Sequence, residues 1–408
     1  MGLLGILFAI GVAFALSSGR SQVRLRIIAW GLGAQLLLAV LALRTPFGGL
    51  LEAFAGGFNQ FYLLAEEGSG FVFGDLGRSG NGYILAFQSL PIIILISCIS
   101  AILYHLGVMQ RVVAALAFVM QRGLRVSGAE ALTVATNMFL GQSSAPLTVR
   151  PYLDKMTRSE LMLVMTGGMA TVSVSILLAY VQVGAVRLEH LVTAIVMNAP
   201  ACIVLAKIFE PETGRPETLG RLPAQTSESD RNVIDAAARG TTEGLNIVLQ
   251  VCAMLIAFVA LIAVVNGGLA GVKGMLGADW FPGSIQSVLG PLFAPVAWML
   301  GVSWADAPAV GSLLGTRMVL NELISFADLA AIKDTIQPHS FFVASFGLCG
   351  FANIGSIGIL IGSLGAVIPK RRGELAAIGV RAMLAATLAN FMTASIAGLI
   401  ALTPILEL

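Results

Sequence analysis

Two pairs of polar interruptions lie inside long apolar stretches of this chain. In the first pair, Gln-Ser-Ser at 142–144 is followed by Thr-Val-Ser at 171–173; in the second, Asn-Glu at 321–322 is followed by polar residues at 353 and 356. Lipid cannot satisfy hydrogen-bonding groups, so such residues are tolerated at membrane depth only where protein or a water-filled cavity surrounds them. The pattern therefore predicts a buried polar site.

The composition indicates an all-α integral membrane protein. Hydrophobic residues make up 57% of the 408 residues and charged residues only 11%, which is more apolar sequence than a soluble core needs. The net charge of +2 indicates little, because in a membrane chain the placement of the basic residues matters more than their sum.

Apolar runs of spanning length predict eight transmembrane helices. The first 17 residues have no basic segment before the apolar run, so we interpret them as a span and not as a cleaved signal peptide. The predicted spans lie near 3–17, 25–43, 82–108, 159–181, 191–208, 242–266, 340–368 and 376–404.

The basic residues predict the orientation in a bacterial-type inner membrane. If the loop after the first span is cytoplasmic, most of the 24 Lys and Arg residues lie inside, which favours N and C termini on the outer, periplasmic side. The exceptions are Arg44, Arg78, Arg187, Lys273 and Lys333 outside, and Arg317 and Arg381 within the membrane.

Two further segments, 128–157 and 303–335, have a polar centre between apolar arms that are too short to span. We predict that both are re-entrant helical hairpins, the first entering from the cytoplasm and the second from outside. Each is followed by a long apolar helix with a polar interruption. Two such units of opposite entry side predict an inverted repeat.

The two long helices are expected to be broken. Gly167-Gly168 and the pair Gly350 and Gly355 lie at the expected breaks. Helix ends that face each other at mid-membrane expose N–H and C=O groups, which can bind a ligand or a dehydrated cation.

The least apolar parts of the chain suggest how it is divided. The segment 209–240 is interpreted as a polar cytoplasmic connection, and 48–66 as an interfacial helix on the outer side. The predicted regions are N-terminal spans (1–108), a first transport repeat (109–208), the connection (209–240), a scaffold span with an outer connection (241–302), and a second transport repeat with the last span (303–408).

Three motifs carry a resemblance to a known family. They are NMFLGQSSAPLTVRPYL (137–153), GSLLGTRMVLNE (311–322) and CGFANIGSIG (349–358). These motifs closely resemble the concentrative nucleoside transporter family, and the likeness covers most of the chain from about residue 80 onward.

The resemblance implies a cation-coupled nucleoside importer, a homotrimer whose protomers move a transport region against a scaffold in elevator fashion. It implies base contacts from Gln142, Ser143 and the Ile176 pocket, ribose contacts from Glu322, Asn353 and Ser356, and packing by Phe351. It implies a sodium site formed by Asn137, the carbonyl of Leu140, Thr171 and the carbonyl of Val172.

One residue departs from the family pattern. Members commonly carry Glu where this chain has Ser144, so the base preference, and any proton coupling through this position, are open. Ser144 is included among the substrate-binding candidates because it could admit a different base or a bridging water.

The chemistry of these residue types agrees with the implied roles. A carboxylate such as Glu322 accepts two strong O–H bonds from a vicinal diol, and Asn353 and Ser356 face the same side of a helix. The carboxamide of Gln142 can match both donors and acceptors of a base. The cation candidates are neutral oxygens, which suit a monovalent ion better than calcium or magnesium.

Several alternatives stay open. Glu322 could instead form a structural ion pair with Arg317 or Arg381, and protons could replace sodium. A nucleoside-binding sensor or a membrane-embedded enzyme would belong to a different functional class. The cysteines at 98, 202, 252 and 349 have no metal-site spacing, and we expect no organic cofactor and no nucleic-acid partner, only nucleoside and membrane lipid.

Overall fold

The computed structural model describes residues 1–78, 84–184, 186–223, 230–277 and 280–402, which are helical and contain no strand. The helices of the N-terminal part are α1 (Gly2–Ala15), α2 (Leu25–Arg44), α3 (Phe47–Phe73), α4 (Leu85–Gln88), α5 (Pro91–His105) and α6 (Val108–Leu124). The next are α7 (Gly128–Leu140), α8 (Arg150–Leu153), α9 (Arg158–Ala170), α10 (Val174–Gly184), α11 (Leu188–Phe209) and α12 (Val233–Leu276). The last are α13 (Ile285–Leu300), α14 (Ala307–Val319), α15 (Glu322–Ala331), α16 (Pro338–Leu348), α17 (Ile354–Val367) and α18 (Arg372–Leu402).

Six helical segments of this described part are long and apolar enough to cross a membrane, and they match six of the predicted spans. They are Leu25–Arg44, Leu85–His105, Arg158–Gly184, Leu188–Phe209, Val233–Leu276 and Pro369–Leu402. The predicted span 3–17 is the shorter helix α1, and 340–368 is the pair α16 and α17. The start of the span 82–108, the end of 376–404, and positions 224–229 of the polar connection lie outside the described residues.

The first unit consists of a hairpin and a broken helix. A turn at 141–144 reverses the chain after α7, and the break at 171–173 separates α9 from α10. The second arm of this hairpin was expected to be an α-helix like the first, but it is mostly the 3₁₀ segment Ala145–Val149 followed by the short α8. Pro146 and Pro151 lie in this arm, and prolines remove the N–H groups that an α-helix needs.

The second unit repeats this arrangement. Helices α14 and α15 form the hairpin, with Leu320 and Asn321 at its tip, and the break at 349–353 separates α16 from α17. We call residues 128–184 the first unit and residues 307–367 the second unit.

The break in the first unit was predicted at the wrong residues. Gly167 and Gly168 lie inside α9, which ends at Ala170, and the backbone of Thr171 is extended (φ −119°, ψ 156°). In the second unit Gly350 lies in the break as predicted, whereas Gly355 belongs to α17. A glycine permits a break but does not require one when the helix around it is tightly packed.

Three helices differ from the prediction in length or presence. Helix α12 is 44 residues long and begins at Val233, so the predicted connection 209–240 ends earlier and the predicted span 242–266 extends at both ends. Helix α3 extends to Phe73 and not to 66. Helix α13 lies where the sequence suggested only an outer connection; it contains two prolines, but a capping box at Ser284 fixes its start.

A buried polar cluster holds the base of the first unit. Helices α7 and α9 both begin with a capping box, formed by Ser127 with Glu130 and by Thr157 with Glu160. Ser127 Oγ also donates to Glu160 (2.6 Å), and the buried Lys207 of α11 pairs with Glu130. Two helix starts and one span are therefore joined where the hairpin begins.

Candidate functional site

One cavity of about 530 Å³ lies between the hairpins and the two breaks. This volume falls within the usual range for small-molecule sites. All eight predicted substrate-binding residues line it: Gln142, Ser143, Ser144, Ile176, Glu322, Phe351, Asn353 and Ser356. The structure therefore brings together residues from both units that are up to 214 positions apart in sequence.

A chain of hydrogen bonds crosses this cavity from one hairpin to the other. Gln142 Nε2 lies 3.4 Å from Ser356 Oγ, and Asn353 Nδ2 donates to Glu322 Oε2 at 3.1 Å. Asn353 and Ser356 are joined in turn, because Asn353 Oδ1 accepts from the Ser356 backbone N–H at 2.8 Å. Gln142 Oε1 is buried, and no donor reaches it among the described residues. The series of hydrogen bonds thus ends in a carboxamide oxygen whose hydrogen-bonding capacity is unused by the described residues.

Two helix starts hold the second unit's polar residues in place. Asn321 caps α15 by accepting from the Ile324 N–H (3.0 Å), so Glu322 is the first residue of that helix. Asn353 caps α17 in the same way. The positive end of a helix dipole stabilises a carboxylate in the first turn, which explains why an acidic residue is tolerated at this buried place.

Tyr180 is a member of this network that the sequence analysis missed. Its hydroxyl donates to Glu322 Oε1 at 2.7 Å, and its fully buried ring stacks on Phe326 at 5.1 Å between centroids. It lies four residues after Ile176 on α10, and i and i+4 positions share a helix face. That spacing could have indicated that Tyr180 lies on the same helix face as the predicted cavity residue Ile176.

Glu322 forms no direct ion pair with Arg317 or Arg381, although Arg317 is close enough to interact with it electrostatically. In the described part of the chain, neither Arg317 nor Arg381 has a nitrogen within 4.0 Å of its carboxylate. Arg381 pairs with Glu210 (3.3 Å) and donates to the carbonyl of Phe209. The donors to Glu322 are the neutral groups of Tyr180 and Asn353. The hydroxyl groups of a ligand can therefore compete with these donors for the carboxylate.

The cation candidates meet beside the break of the first unit. Asn137 Nδ2 donates to the Gly167 carbonyl (2.9 Å) and to Thr171 Oγ1 (2.5 Å), which joins the hairpin to the end of α9. Asn137 Oδ1 is buried without a donor among the described residues. Val172 lies in the break itself, and Leu140 ends α7 at the cavity wall. A buried acceptor without a donor, beside a hydroxyl and the end of a helix, fits a sodium ion.

Two further asparagines bridge the breaks. Asn198 of α11 donates from Nδ2 to the carbonyls of Ala170 (3.0 Å) and Cys349 (2.9 Å). Asn390 of α18 donates to the same two carbonyls. The sequence analysis missed both, because a single Asn in an apolar span only indicates that some partner exists.

The cavity continues from the hydrogen-bonded chain to a charged group at the start of α12. Arg239 binds both carboxylate oxygens of Asp230 at 2.9 Å and Glu243 at 2.8 Å, and these three residues line the cavity together with His105. The hydrogen bonds from Arg239 hold the pKa of Asp230 below its usual range.

Comparison with known families agrees with this geometry. A model described as "Na+ dependent nucleoside transporter N-terminus" matches residues 4–76, one described as "Nucleoside recognition" matches 86–187, and "Na+ dependent nucleoside transporter C-terminus" matches 190–398. The chain belongs to the Na+-dependent nucleoside transporter family. The matches of this family therefore reach across both units and the cavity between them.

Named relatives of this transporter family extend over the whole chain. The uncharacterized transporter YutK of Bacillus subtilis is 39% identical and covers 98% of both chains. Human solute carrier family 28 member 3 is 35% identical over 98% of this chain and 60% of its own length. Solved structures of CNTnw, one inward-facing and substrate-bound and one outward-facing, are each 38% identical, cover 98% of this chain and 97% of theirs, and give TM-scores of 0.91 and 0.92.

Proposed function

We propose that this chain imports nucleosides across the inner membrane by sodium symport. The observation that carries the proposal is the hydrogen-bonded chain from Gln142 of the first hairpin to Glu322 of the second, inside one cavity. Such a polar strip in an apolar protein offers one set of groups to a base and another to a sugar. The family supports nucleosides as the ligand class.

In this proposal the ribose binds at Glu322 and Asn353. A carboxylate accepts two O–H bonds from a 2′,3′-diol, and these bonds are stronger than those between neutral groups. The base is placed at the other end, beside Gln142 and Ser143, with Ile176 and Phe351 as apolar walls. Ser144 lines the same end, so it takes part in selecting the base.

The sodium ion is placed between Asn137, the Leu140 carbonyl, Thr171 and the Val172 carbonyl. When bound, it supplies a positive charge that stabilises the hairpin against the end of α9. Asn137 already joins these two elements through Gly167 and Thr171. Coupling then follows if the ion favours the conformation that binds nucleoside. One positive charge moving inward down 100 mV provides about 2.3 kcal/mol, or roughly a fiftyfold gradient.

We propose that the structure has an inward-facing cavity. With the termini outside, the start of α12 lies on the cytoplasmic side, and the cavity reaches Asp230 and Arg239 there. Alternating access would be an elevator movement of the two units against a scaffold that includes α3 and α12. Relatives solved in inward-facing and outward-facing states support such an exchange.

We further propose a homotrimer formed through the scaffold. Helix α12 presents large apolar side chains on its surface, for example Ile256 (74% exposed) and Val264 (71%). Lipid and partner subunits would share this face, and we propose that α3 also contributes to the contact between subunits.

The decisive experiment is uptake of radiolabelled uridine into proteoliposomes. We expect accumulation with an inward sodium gradient and none with choline in its place. Accumulation in sodium-free buffer with an imposed pH gradient would show that protons, and not sodium ions, drive the uptake. Binding of uridine without entry would make the protein a sensor and contradict import. A panel of unlabelled nucleosides then gives the base preference.

The variant Glu322→Gln tests the placement of the ribose. It removes the charge that strengthens the diol contact, so we expect at least a tenfold loss of uridine affinity, about 1.4 kcal/mol or more. The matched control is Glu374→Gln. The Glu374 carboxylate lies outside the cavity and pairs with Arg371 at a distance of 2.8 Å. Parental uptake by Glu322→Gln would contradict this role.

A further inference from the structure

Equivalent contacts in the two units are separated by 180 residues. Asn137 Nδ2 donates to the carbonyl of Gly167, and Arg317 Nη1 donates to the carbonyl of Gly347; both bonds join residues 30 positions apart. Residue 317 follows 137 by the same 180 positions that separate 347 from 167. Asn137 and Arg317 therefore hold equivalent places in the two units.

The same shift changes the cation ligands. Thr171 of the first unit corresponds to Phe351 of the second. Of the two side-chain oxygens proposed to bind sodium in the first unit, one is thus replaced by a guanidinium and the other by a phenyl ring. The second unit lacks the side-chain oxygens of a cation site at these positions, and it carries a positive charge there.

The surroundings of Arg317 are those of a dehydrated cation. Its side chain is fully buried, Nη2 donates to Asn390 Oδ1 at 2.9 Å, and the guanidinium carbon lies 6.0 Å from the Phe391 ring centroid. In the described part of the chain, no carboxylate oxygen lies within 4.0 Å of its nitrogens. The groups in direct contact with this charge are neutral carbonyl and carboxamide oxygens, as they would be for a bound monovalent ion, and the Glu322 carboxylate acts on it from beyond 4.0 Å.

Two buried acceptors near the break of the first unit are still open. Asn198 and Asn390 contact the same two carbonyls, but only Asn390 Oδ1 receives a donor, namely Arg317. Asn198 Oδ1 and Asn137 Oδ1 are buried without a donor among the residues described. A buried acceptor without a donor is costly, so the surroundings of Asn137 have a greater need of a cation than those of Arg317.

We propose that Arg317 is a built-in cation that takes, in the second unit, the place that the coupling ion takes in the first. The inference rests on the proposed sodium symport only for the identity of the coupling ion. Its consequence is that each protomer exchanges one cation per nucleoside, because the second equivalent place is permanently filled.

The first test asks whether the site needs a cation, and it involves no nucleoside. Truncation by Arg317→Ala leaves space for a free guanidinium ion, whereas Arg317→Met fills the space without charge. The purified proteins are heated in detergent with low, non-denaturing guanidinium chloride or with equal choline chloride. We expect guanidinium to raise the unfolding midpoint of Arg317→Ala only, and Arg317→Met to unfold below the parent.

Each outcome of this test decides the proposal. Recovery of folded Arg317→Ala only in the presence of guanidinium supports it, as does a near-parental midpoint for Arg317→Lys. An Arg317→Met protein as stable as the parent overturns it, and so does an Arg317→Ala protein that does not respond to guanidinium. Failure of both the Lys and Ala variants to fold, with guanidinium present, would show a need for shape and not for charge, and would also overturn it.

The second test counts the exchangeable ions. Sodium-dependent binding of uridine to the parent protein should follow a Hill coefficient of about 1, since one site is available. A coefficient of about 2 in the parent contradicts the proposal while leaving sodium symport itself intact. If uptake fails in every ion gradient, the proposed function fails, yet the stability measurements still report on Arg317.

Discussion

At the scale of single residues, the hydrogen-bond donors around Glu322 determine how its carboxylate is oriented. The carboxylate is buried at the start of α15 and receives one hydrogen bond on each oxygen, from Tyr180 and from Asn353. Both donors are neutral, and among the described residues no arginine nitrogen lies within 4.0 Å of the carboxylate. That leaves it available to hydroxyl groups of a ligand.

Tyr180→Phe should weaken uridine binding by about tenfold or more. The change removes a hydrogen bond to a charged group, worth roughly 1.5–3 kcal/mol, while the ring that stacks on Phe326 remains. Equilibrium binding of uridine to the purified protein is the measurement, with Tyr152→Phe on α8 as the control. Unchanged affinity in Tyr180→Phe would show that this hydroxyl does not orient Glu322.

The shared location of the candidate residues was predictable where several polar residues cluster in the sequence. Gln142 and Glu322 lie in polar runs within apolar arms, so their presence in one cavity could be anticipated. Tyr180, Asn198 and Asn390 are isolated polar residues in apolar helices. Their partners are 28 or more positions away, and only the fold identifies them.

At the scale of helices, α5 and α12 form the cavity wall opposite the hairpins. They approach closely because α12 has glycines at the contact: a Cβ at Gly244 would lie 2.7 Å from Ile94 Cα, and one at Gly240 2.6 Å from the Ser97 carbonyl oxygen. Residues of both helices next to this contact line the cavity, among them Ser100 on α5 and Glu243 and Asn246 on α12. The glycines thus set how wide the cavity is.

Gly244→Ala should destabilise the protein by about 1–3 kcal/mol, because the added methyl group forces the two helices apart. Gly268→Ala is the matched control on the same helix; a Cβ there meets no atom within 4 Å among the described residues. It should leave stability unchanged or raise it by up to about 1 kcal/mol. Thermal unfolding in detergent measures both. Equal midpoints for the two variants would contradict a tight contact at Gly244.

Helix existence was easier to predict than helix ends. Apolar length and a polar centre are local signals, and they located the main spans and both hairpins. The ends depend on neighbours: α9 continues through Gly167, where a Cβ would meet the side chain of Val134 at 3.1 Å. Helix α13 was missed because its prolines, read alone, favour a connection.

At the scale of the whole molecule, the direction in which the cavity opens is a testable property. Asn246 lines the cavity on α12, and Met275 is 90% exposed near the other end of the same helix. With about 1.5 Å of rise per residue, these positions lie on the order of 40 Å apart. This distance exceeds the roughly 30 Å thickness of a bilayer's hydrocarbon core, so the two positions can lie on opposite sides of a membrane.

Asn246→Cys should react with a membrane-impermeant maleimide in inside-out vesicles, and uridine should slow the reaction. Met275→Cys should react in right-side-out vesicles, without protection by uridine. Both are made after Cys98 and Cys252, the partly exposed cysteines, are changed to Ser. Labelling of Asn246→Cys only from the outer side would contradict the proposed orientation in the membrane or the proposed inward-facing state.

The bridging asparagines limit how the molecule can move. The carbonyls of Ala170 and Cys349 belong to different units, yet Asn198 and Asn390 each hold both of them. Sliding one unit past the other would strip each carbonyl of donors in a place where water cannot replace them. We therefore expect the two breaks to move as one rigid body, together with any ligand bound between them.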